Sequence, residues 1–248
     1  MCGRFVVARS LGEIATIFEV DEVIAEAAAA IKLPSYNIAP TQNIAVIVDR
    51  SFEKDADGAP IGELSREIHA ARWGLVPRWS KGPAASAPLI NGRIESLLEK
   101  PSFKESVPRR RCVIPASGYY EWQVLPDGTK QPFYISAGAD GMLALAGLYE
   151  WWADPSKAAD DPSRWVLSAT TLTKHTAPEL EHIHDRNPVL LSAETIDTWL
   201  DPHEIGDQEM LDAIADDSDR VIAEVDFYKV DAAVGAVRNN SPELIQPI

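Results

Sequence analysis

The stretch Arg111-Cys-Val-Ile-Pro-Ala-Ser-Gly-Tyr-Tyr-Glu-Trp-Gln-Val-Leu-Pro-Asp-Gly-Thr-Lys-Gln-Pro-Phe-Tyr-Ile-Ser136 decides the fold class. Its β-branched and aromatic residues fall into three short runs: Cys112–Pro115, Tyr119–Val124 and Pro132–Ser136. Such runs, bounded by Gly, Pro and Asp, read as strands rather than helices. Pro126-Asp-Gly128 supplies a tight hairpin turn between the second and third runs. Gly138–Gly141 marks another turn before a fourth run, Met142–Trp151.

Outward from this block the same texture continues. Ile44–Val48, Glu67–Trp73, Trp165–Thr171 and Val221–Phe227 also read as strands. Helical signals are fewer. Ser10-Leu-Gly-Glu13 is a capping box followed by Ile14, Ile17 and Phe18 at helical spacing. An Ala-rich helix is expected over Asp21–Ile31, ended by Pro34, with further helices over Ala193–Leu200 and Gly206–Ala215. The Asp/Pro/Gly/Ser-rich stretches 51–63 and 153–163 read as surface loops. The expectation is α+β: one domain over residues 1–248, on a curved, barrel-like, mainly antiparallel sheet with peripheral helices. No internal repeat, Rossmann glycine fingerprint or P-loop interrupts it.

Composition narrows the function classes. The 248 residues are 46% hydrophobic and 25% charged, as in ordinary soluble domains. No apolar run approaches the roughly 18 residues that span a bilayer, and no basic-then-apolar leader opens the chain. Cys2 and Cys112 are too few for a disulfide framework, so a reducing cytoplasm is expected. The net charge of −15 is unevenly spread. From Arg66 to Arg111, ten Lys/Arg face four Glu; from Ala193 to Asp219 there are ten Asp/Glu and no Lys or Arg. Binding follows the local field, so the total neither proposes nor vetoes a nucleic-acid partner.

Four clusters could carry chemistry. In Met1-Cys-Gly-Arg-Phe5, loss of Met1 would expose an α-amine and a thiol on one residue. The amine, with a pKa of about 7.7–8, is partly unprotonated at neutral pH, and a 1,2-aminothiol condenses with aldehydes. Judged alone, Cys at position 2 is usually incidental. Trp73-Gly-Leu-Val-Pro-Arg-Trp79, with Arg72 before it, suits base stacking beside phosphate contacts, although both indoles fit a core equally well. Asn91 and Arg93 point the same way if the segment is extended, able to hold a sugar oxygen and a phosphate; a helix cap plus a surface Arg is the competing account. Glu121 lies among aromatics, a setting that lifts a carboxyl toward the acid/base range, unless it is exposed or paired with an Arg. His182-Ile-His184-Asp-Arg186 offers a proton shuttle beside a phosphate ligand. A zinc site needs three or four ligands, and neither Cys is placed to help, so no metal is expected.

Together these segments resemble the SRAP (SOS response-associated peptidase) family over nearly the whole chain. The motifs occur in the family's order: Met-Cys-Gly-Arg4, Tyr36-Asn-Ile-Ala-Pro40-Thr-Gln, Trp73-Gly-Leu-Val-Pro77, Asn91-x-Arg93-x-Glu95, Gly118-Tyr-Tyr-Glu121-Trp122, Thr170-Thr and His184-x-Arg186. The resemblance implies capture of abasic sites in single-stranded DNA through Cys2, near stalled replication. It implies that Asn91 orients the Cys2 amine and the sugar. His184 would protonate the deoxyribose ring oxygen, and Glu121 would shuttle protons. Arg4, Arg93 and Arg186 would grip phosphates, while Trp73, Trp122 and Pro40 would wall the groove. The expected partner is abasic single-stranded DNA, with the replication machinery; the expected state is a nucleoid-associated, cytoplasmic monomer without a cofactor. Gly92 stands where the family often has Ala, and Asn187 where it commonly has Met; Leu172–Pro178 also departs from its pattern. Two other readings keep parts of this assignment: a thiol peptidase acting on peptides, and a non-catalytic single-strand binder.

Overall fold

The computed structural model describes residues 2–83, 87–138 and 141–248. Met1 and the centre of the expected 138–141 turn lie outside the described residues. The chain begins with β1 (Phe5–Val7), α1 (Leu11–Ile17), β2 (Glu22–Val23), α2 (Ala25–Ala30) and β3 (Ser35–Ile38). A long hairpin follows, β4 (Asn43–Lys54) and β5 (Pro60–Trp73), then β6 (Asn91–Arg93). The quoted stretch supplies β7 (Arg111–Ala116), β8 (Gly118–Val124) and β9 (Lys130–Ser136). Beyond it come β10 (Leu143–Ala153), β11 (Trp165–His175), β12 (Arg186–Pro188) and β13 (Leu190–Leu191). Helices α3 (Ala193–Leu200) and α4 (Gln208–Ile222) precede the last strand, β14 (Asp226–Lys229).

The architecture is α+β on a curled sheet, as expected. The larger sheet runs β12-β11-β10-β7-β4-β5-β2, and β11 also pairs with β5. That parallel pairing, Ser168 with Arg72 and Ala169 with Trp73, closes β5, β4, β7, β10 and β11 into a barrel. Closure removes two unpaired edges that would otherwise invite association. The second sheet, β14-β9-β8-β1-β3, holds the N-terminal strand between its central strand β8 and its edge strand β3.

The main core lies between the sheets and inside the barrel, and includes Phe5, Ile47, Trp73, Ile114, Leu145 and Trp199. Burying each large side chain contributes about 1.5–3 kcal/mol. A smaller cluster on the other face of the second sheet joins Val6, Tyr120 and Tyr134 to Val230, Val234 and Leu244. Alternation decides this split, because neighbours on a strand face opposite ways.

Three expected elements differ. Residues 51–63 are mostly not a loop: β4 and β5 extend as a ribbon to Lys54 and from Pro60, with Ser51 opposite Leu64. Its Asp and Gly residues serve the tip, where Asp55 Oδ1 accepts from the Asp57 and Ala59 N–H groups. The Asp21–Ile31 helix is shorter, because Glu22 and Val23 instead pair with Glu67 and Ile68. The segment from Val221 does not start a strand. Leu211, Ile214, Ser218 and Ile222 bury one helical face, so α4 outruns the expected Gly206–Ala215 and only Asp226–Lys229 is extended. The capping box holds: Glu13 N–H donates to Ser10 Oγ (3.3 Å), and Ser10 N–H to Glu13 Oε2 (2.9 Å).

Candidate active site

The N-terminal strand brings Cys2 to the middle of the molecule. Phe5 pairs with Tyr119 and Val6 with Gly118, while Tyr120 N–H donates to Arg4 O at 3.0 Å. This antiparallel ladder lays residues 2–4 alongside Tyr120–Trp122. Gly118 is required there: a Cβ would stand 2.5 Å from both Ile135 O and the Tyr134 ring.

Cys2 is fully buried, and its thiol lies 3.8 Å from Arg4 O. Asn91 Nδ2 donates to Cys2 O at 2.9 Å. Asn91 is positioned by β6, which runs parallel to β11 with Asn91 opposite Thr171. Burial pushes the Cys2 thiol far above its ordinary range, and the Glu121 carboxylate adds to the effect. Glu121 sits on β8, two residues from Tyr119 and therefore on the same face. Burial raises its carboxyl above the usual range, partly opposed by the charge of His184.

His184 follows a 3-10 turn over Pro178–Leu180, its N–H donating to Leu180 O at 3.2 Å, and lines one cleft with Tyr119, Glu121, Thr176 and Asn187. Arg186 N–H donates to His184 Nδ1 (3.0 Å), and Asp185 Oδ1 lies 2.9 Å from the same nitrogen. These contacts belong to different protonation states. A neutral ring accepts from Arg186 and carries its proton on Nε2; an imidazolium would donate to Asp185. Asn187, which stands where the family commonly has Met, is buried and anchors this loop. Its Oδ1 accepts from Ala177 N–H (3.0 Å), and its Nδ2 donates to Pro188 O (2.7 Å).

Around Cys2 and Glu121, buried polar atoms stand without partners among the described residues: Asn91 Oδ1, Tyr119 OH, Thr171 Oγ1, Thr176 Oγ1 and Arg186 Nε. Each such atom costs about 1–3 kcal/mol of desolvation, so their concentration in one place marks a site built for something else to bind. The sequence motifs contain Tyr119 and Thr171 but assign them no role, and Thr176 falls in the segment that departs from the family pattern. For Tyr119 the available signal was its two-residue spacing from Glu121.

The structure relocates several residues expected to touch DNA. Trp73 is fully buried, meets Phe5 edge-on at 5.0 Å and donates Nε1–H to Ile90 O at 3.0 Å. It is a floor beneath the N-terminal strand and presents no face to a base. Arg186 is 5% exposed: its fork holds Glu95 at 2.8 and 2.9 Å and donates to Thr173 O at 2.7 Å, so it does not face a phosphate. Trp122 packs with Tyr120 at 6.5 Å, on the face of β8 opposite Glu121. Arg4 donates to Asn37 Oδ1 (2.8 Å) and Val234 O (3.0 Å), and Asn37 in turn donates to Asn239 O (2.8 Å). Pro40 is half-buried at a turn whose Thr41 N–H donates to Trp73 O (2.8 Å). Arg93 is exposed, as is Trp79 at 68%.

The basic excess between Arg66 and Arg111 is also partly consumed inside the fold. Arg66 binds Asp49 and Asp197, Arg78 and Arg110 share Glu150, and buried Arg111 donates to the Trp199, Val107 and Asp201 carbonyls. Arg93, Lys81, Lys100 and Lys104 remain exposed.

A curled α+β sheet with a buried Cys2 just ahead of the first strand of the smaller sheet defines the class, and comparison agrees: residues 1–237 match the model for SOS response associated peptidase (SRAP). The chain belongs to the SRAP family. It is 36% identical over 246 residues to the abasic site processing protein YoqW of Bacillus subtilis, covering 99% of both chains. It is 32% identical over 246 residues to the abasic site processing protein HMCES of Rattus norvegicus, covering 86% of this chain and 65% of that one. The fold matches a crystal structure of a Bacteroides thetaiotaomicron protein with a TM-score of 0.76, at 20% identity over all of both chains. No helix among the described residues is long and apolar enough to cross a membrane.

Proposed function

We propose that this chain processes abasic sites in single-stranded DNA by capturing their aldehyde on Cys2, after Met1 is released by self-cleavage or by an aminopeptidase. The observation that carries this reading is the concentration of buried, partnerless polar atoms around Cys2 and Glu121. A peptide substrate gives no reason for an exposed Arg93 beside Asn91, and mere strand binding needs neither the buried thiol nor the acid/base pair.

Each residue has a task in that sequence. His184 gives a proton to the ring oxygen of the sugar as its bond to C1 breaks, and the C1 hydroxyl loses its proton as the aldehyde forms. Asn91 fixes Cys2 through its carbonyl, and its idle Oδ1 is an acceptor for the α-amine. The amine nitrogen bonds to the aldehyde carbon, and the carbinolamine hydroxyl leaves as water after protonation by Glu121. The thiol then adds across the imine: sulfur bonds to carbon, its proton passes through Glu121 to nitrogen, and a five-membered thiazolidine closes. No oxidant or reductant is needed. Arg93 takes a phosphate, Trp79 replaces Trp73 as the stacking surface, and Pro40 edges the groove; Arg4 and Arg186 serve as scaffold.

The test uses an abasic single-stranded oligonucleotide on a denaturing gel. The processed protein should give a heat-stable adduct. Cys2→Ser keeps the amine, so it should lose that adduct yet be trapped by borohydride as a secondary amine. An N-terminal tag that blocks processing should abolish both products. Full-rate cross-linking by the tagged protein would show that Cys2 is not the nucleophile.

A further inference from the structure

The barrel has a second mouth that the capture reaction does not use. On its inner face β4 presents Val48 and Arg50, β5 presents Glu67 and His69, β10 presents Tyr149 and Trp151, and β11 presents Leu167. The register fixes this common face: Val48 lies opposite Glu67, Val46 opposite His69, and Trp151 opposite Leu167. A pocket at this end is lined by these strands together with Lys54. Trp73 shares the face four residues along β5, about 13 Å away, so the pocket and the Cys2 site occupy opposite ends.

The chemistry at this mouth is unlike that of a core. The Glu67 carboxyl is 1% exposed, 2.6 Å from His69 Nε2 and 3.1 Å from Arg50 Nη1. Burying a carboxylate there is tolerated only because it is paired. Glu67 balances one cation and leaves others over. The Arg50 side chain is 45% exposed and stacks on Phe52 at 5.2 Å. Among the described residues, the Lys54 ammonium and the Tyr149 hydroxyl have no hydrogen-bond partner. Burial pushes the Tyr149 phenol up to about 12, so it remains a donor throughout the neutral range. A guanidinium fork, a point charge and a neutral hydroxyl converge on one space whose walls, Val48, Trp151 and Leu167, are apolar. That donor set suits a phosphate, and the indole suits a planar ring.

We propose that this mouth binds one nucleotide unit, its phosphate held by Arg50, Lys54 and Tyr149 and its base against Trp151. The unit comes either from a free mononucleotide or from the strand itself. The assignment stands apart from the Cys2 reaction.

Isothermal titration of the full chain with deoxyadenosine monophosphate tests it, with inorganic phosphate and a short undamaged single strand as parallel titrants. The mononucleotide should bind saturably and more tightly than inorganic phosphate. Lys54→Gln and Tyr149→Phe, neither of which removes a native contact, should each weaken it about fivefold to tenfold. Cross-linking through Cys2 at saturating strand should not change in either variant. If both variants also weaken the undamaged strand, the strand supplies the unit; if only the mononucleotide weakens, a free nucleotide does. No saturable heat up to about 10 mM mononucleotide, or an affinity indifferent to both variants, overturns the proposal.

Discussion

Replacing Tyr119 by Phe should make the protein more stable, against the usual sign for a buried substitution. The ring is fully buried between Cys2, Glu121 and Ile135, and its hydroxyl has no partner among the described residues. Burial, with the Cys2 and Glu121 charges, holds the phenol well above its ordinary range, so it is a neutral hydroxyl throughout. Leaving such a group unpaired costs about 1–3 kcal/mol, and removing one oxygen from an otherwise retained ring forfeits little packing. The net expectation is a gain of about 1 kcal/mol. For a chain of this size that corresponds to a rise in Tm of about 2–4 °C. Urea unfolding, with the m-value checked for constancy, reads the difference directly. A loss of more than about 1 kcal/mol would refute the reasoning, because the hydroxyl would then have been supporting the fold through bonded water. If stability rises while capture slows, the hydroxyl is held in reserve for the substrate, a familiar exchange of stability for activity.

Three further outcomes follow from the site. Glu121→Gln should fold normally and capture slowly, and its stability relative to the parent should vary with pH. A carboxyl raised by burial binds its proton more tightly when folded, so the parent loses stability as pH rises above the unfolded value of 4.5, while the amide does not. Denaturation at pH 4 and pH 7 should therefore show the variant's advantage only at the higher pH; equal differences at both would refute the burial argument. Glu95→Gln should cost about 1 kcal/mol, discounted because the carboxylate is 41% exposed, and should loosen the His184 loop through Arg186. Burial alone would raise the Glu95 carboxyl, but Arg186 and the Glu95 and His175 backbone N–H groups together hold it low, so this contribution is lost as pH falls; melting curves across the acid range check it. Arg93→Ala should lower the salt slope of single-strand binding by about 0.7, equally for all sequences, and an unchanged slope would remove Arg93 from the interface.

Much of this molecule can be read from sequence because local signals and tertiary structure agree. Pro126-Asp-Gly128 turns β8 into β9, and the capping box starts α1 where its residue types demand. The parallel contact of Ser168 with Arg72 that closes the barrel has no local signature, since it joins residues far apart through two backbone pairs. The ribbon over 51–63 reads as a loop because its residues are polar, while its pairing, not its composition, keeps it extended. At the site, residue type and order pointed to Cys2, Asn91, Glu121 and His184, which the structure gathers around one cleft and the N-terminal strand. Burial was the hidden variable. Trp73 and Arg186 carry side chains suited to DNA, yet one is a floor and the other an internal brace, and nothing in their neighbours along the chain shows it.

The brace on Arg4 has a consequence in time. Its partner Val234 lies 230 residues further along the chain, and Asn37 beside it is held by the Ala236 and Asn239 carbonyls as well. The strand that follows Cys2 is therefore synthesised well before the segment that clamps it. At about 5–20 residues per second, the interval is roughly ten seconds to a minute. On the proposed reaction, that interval would leave the residue before Cys2 open to removal. Deleting residues 232–248 should hold the gate open permanently, readable as faster alkylation of Cys2; an unchanged alkylation rate would mean that the clamp does not govern access. On the proposed reaction, release of the amine and its enclosure would thus be ordered by synthesis itself, with processing first and burial second.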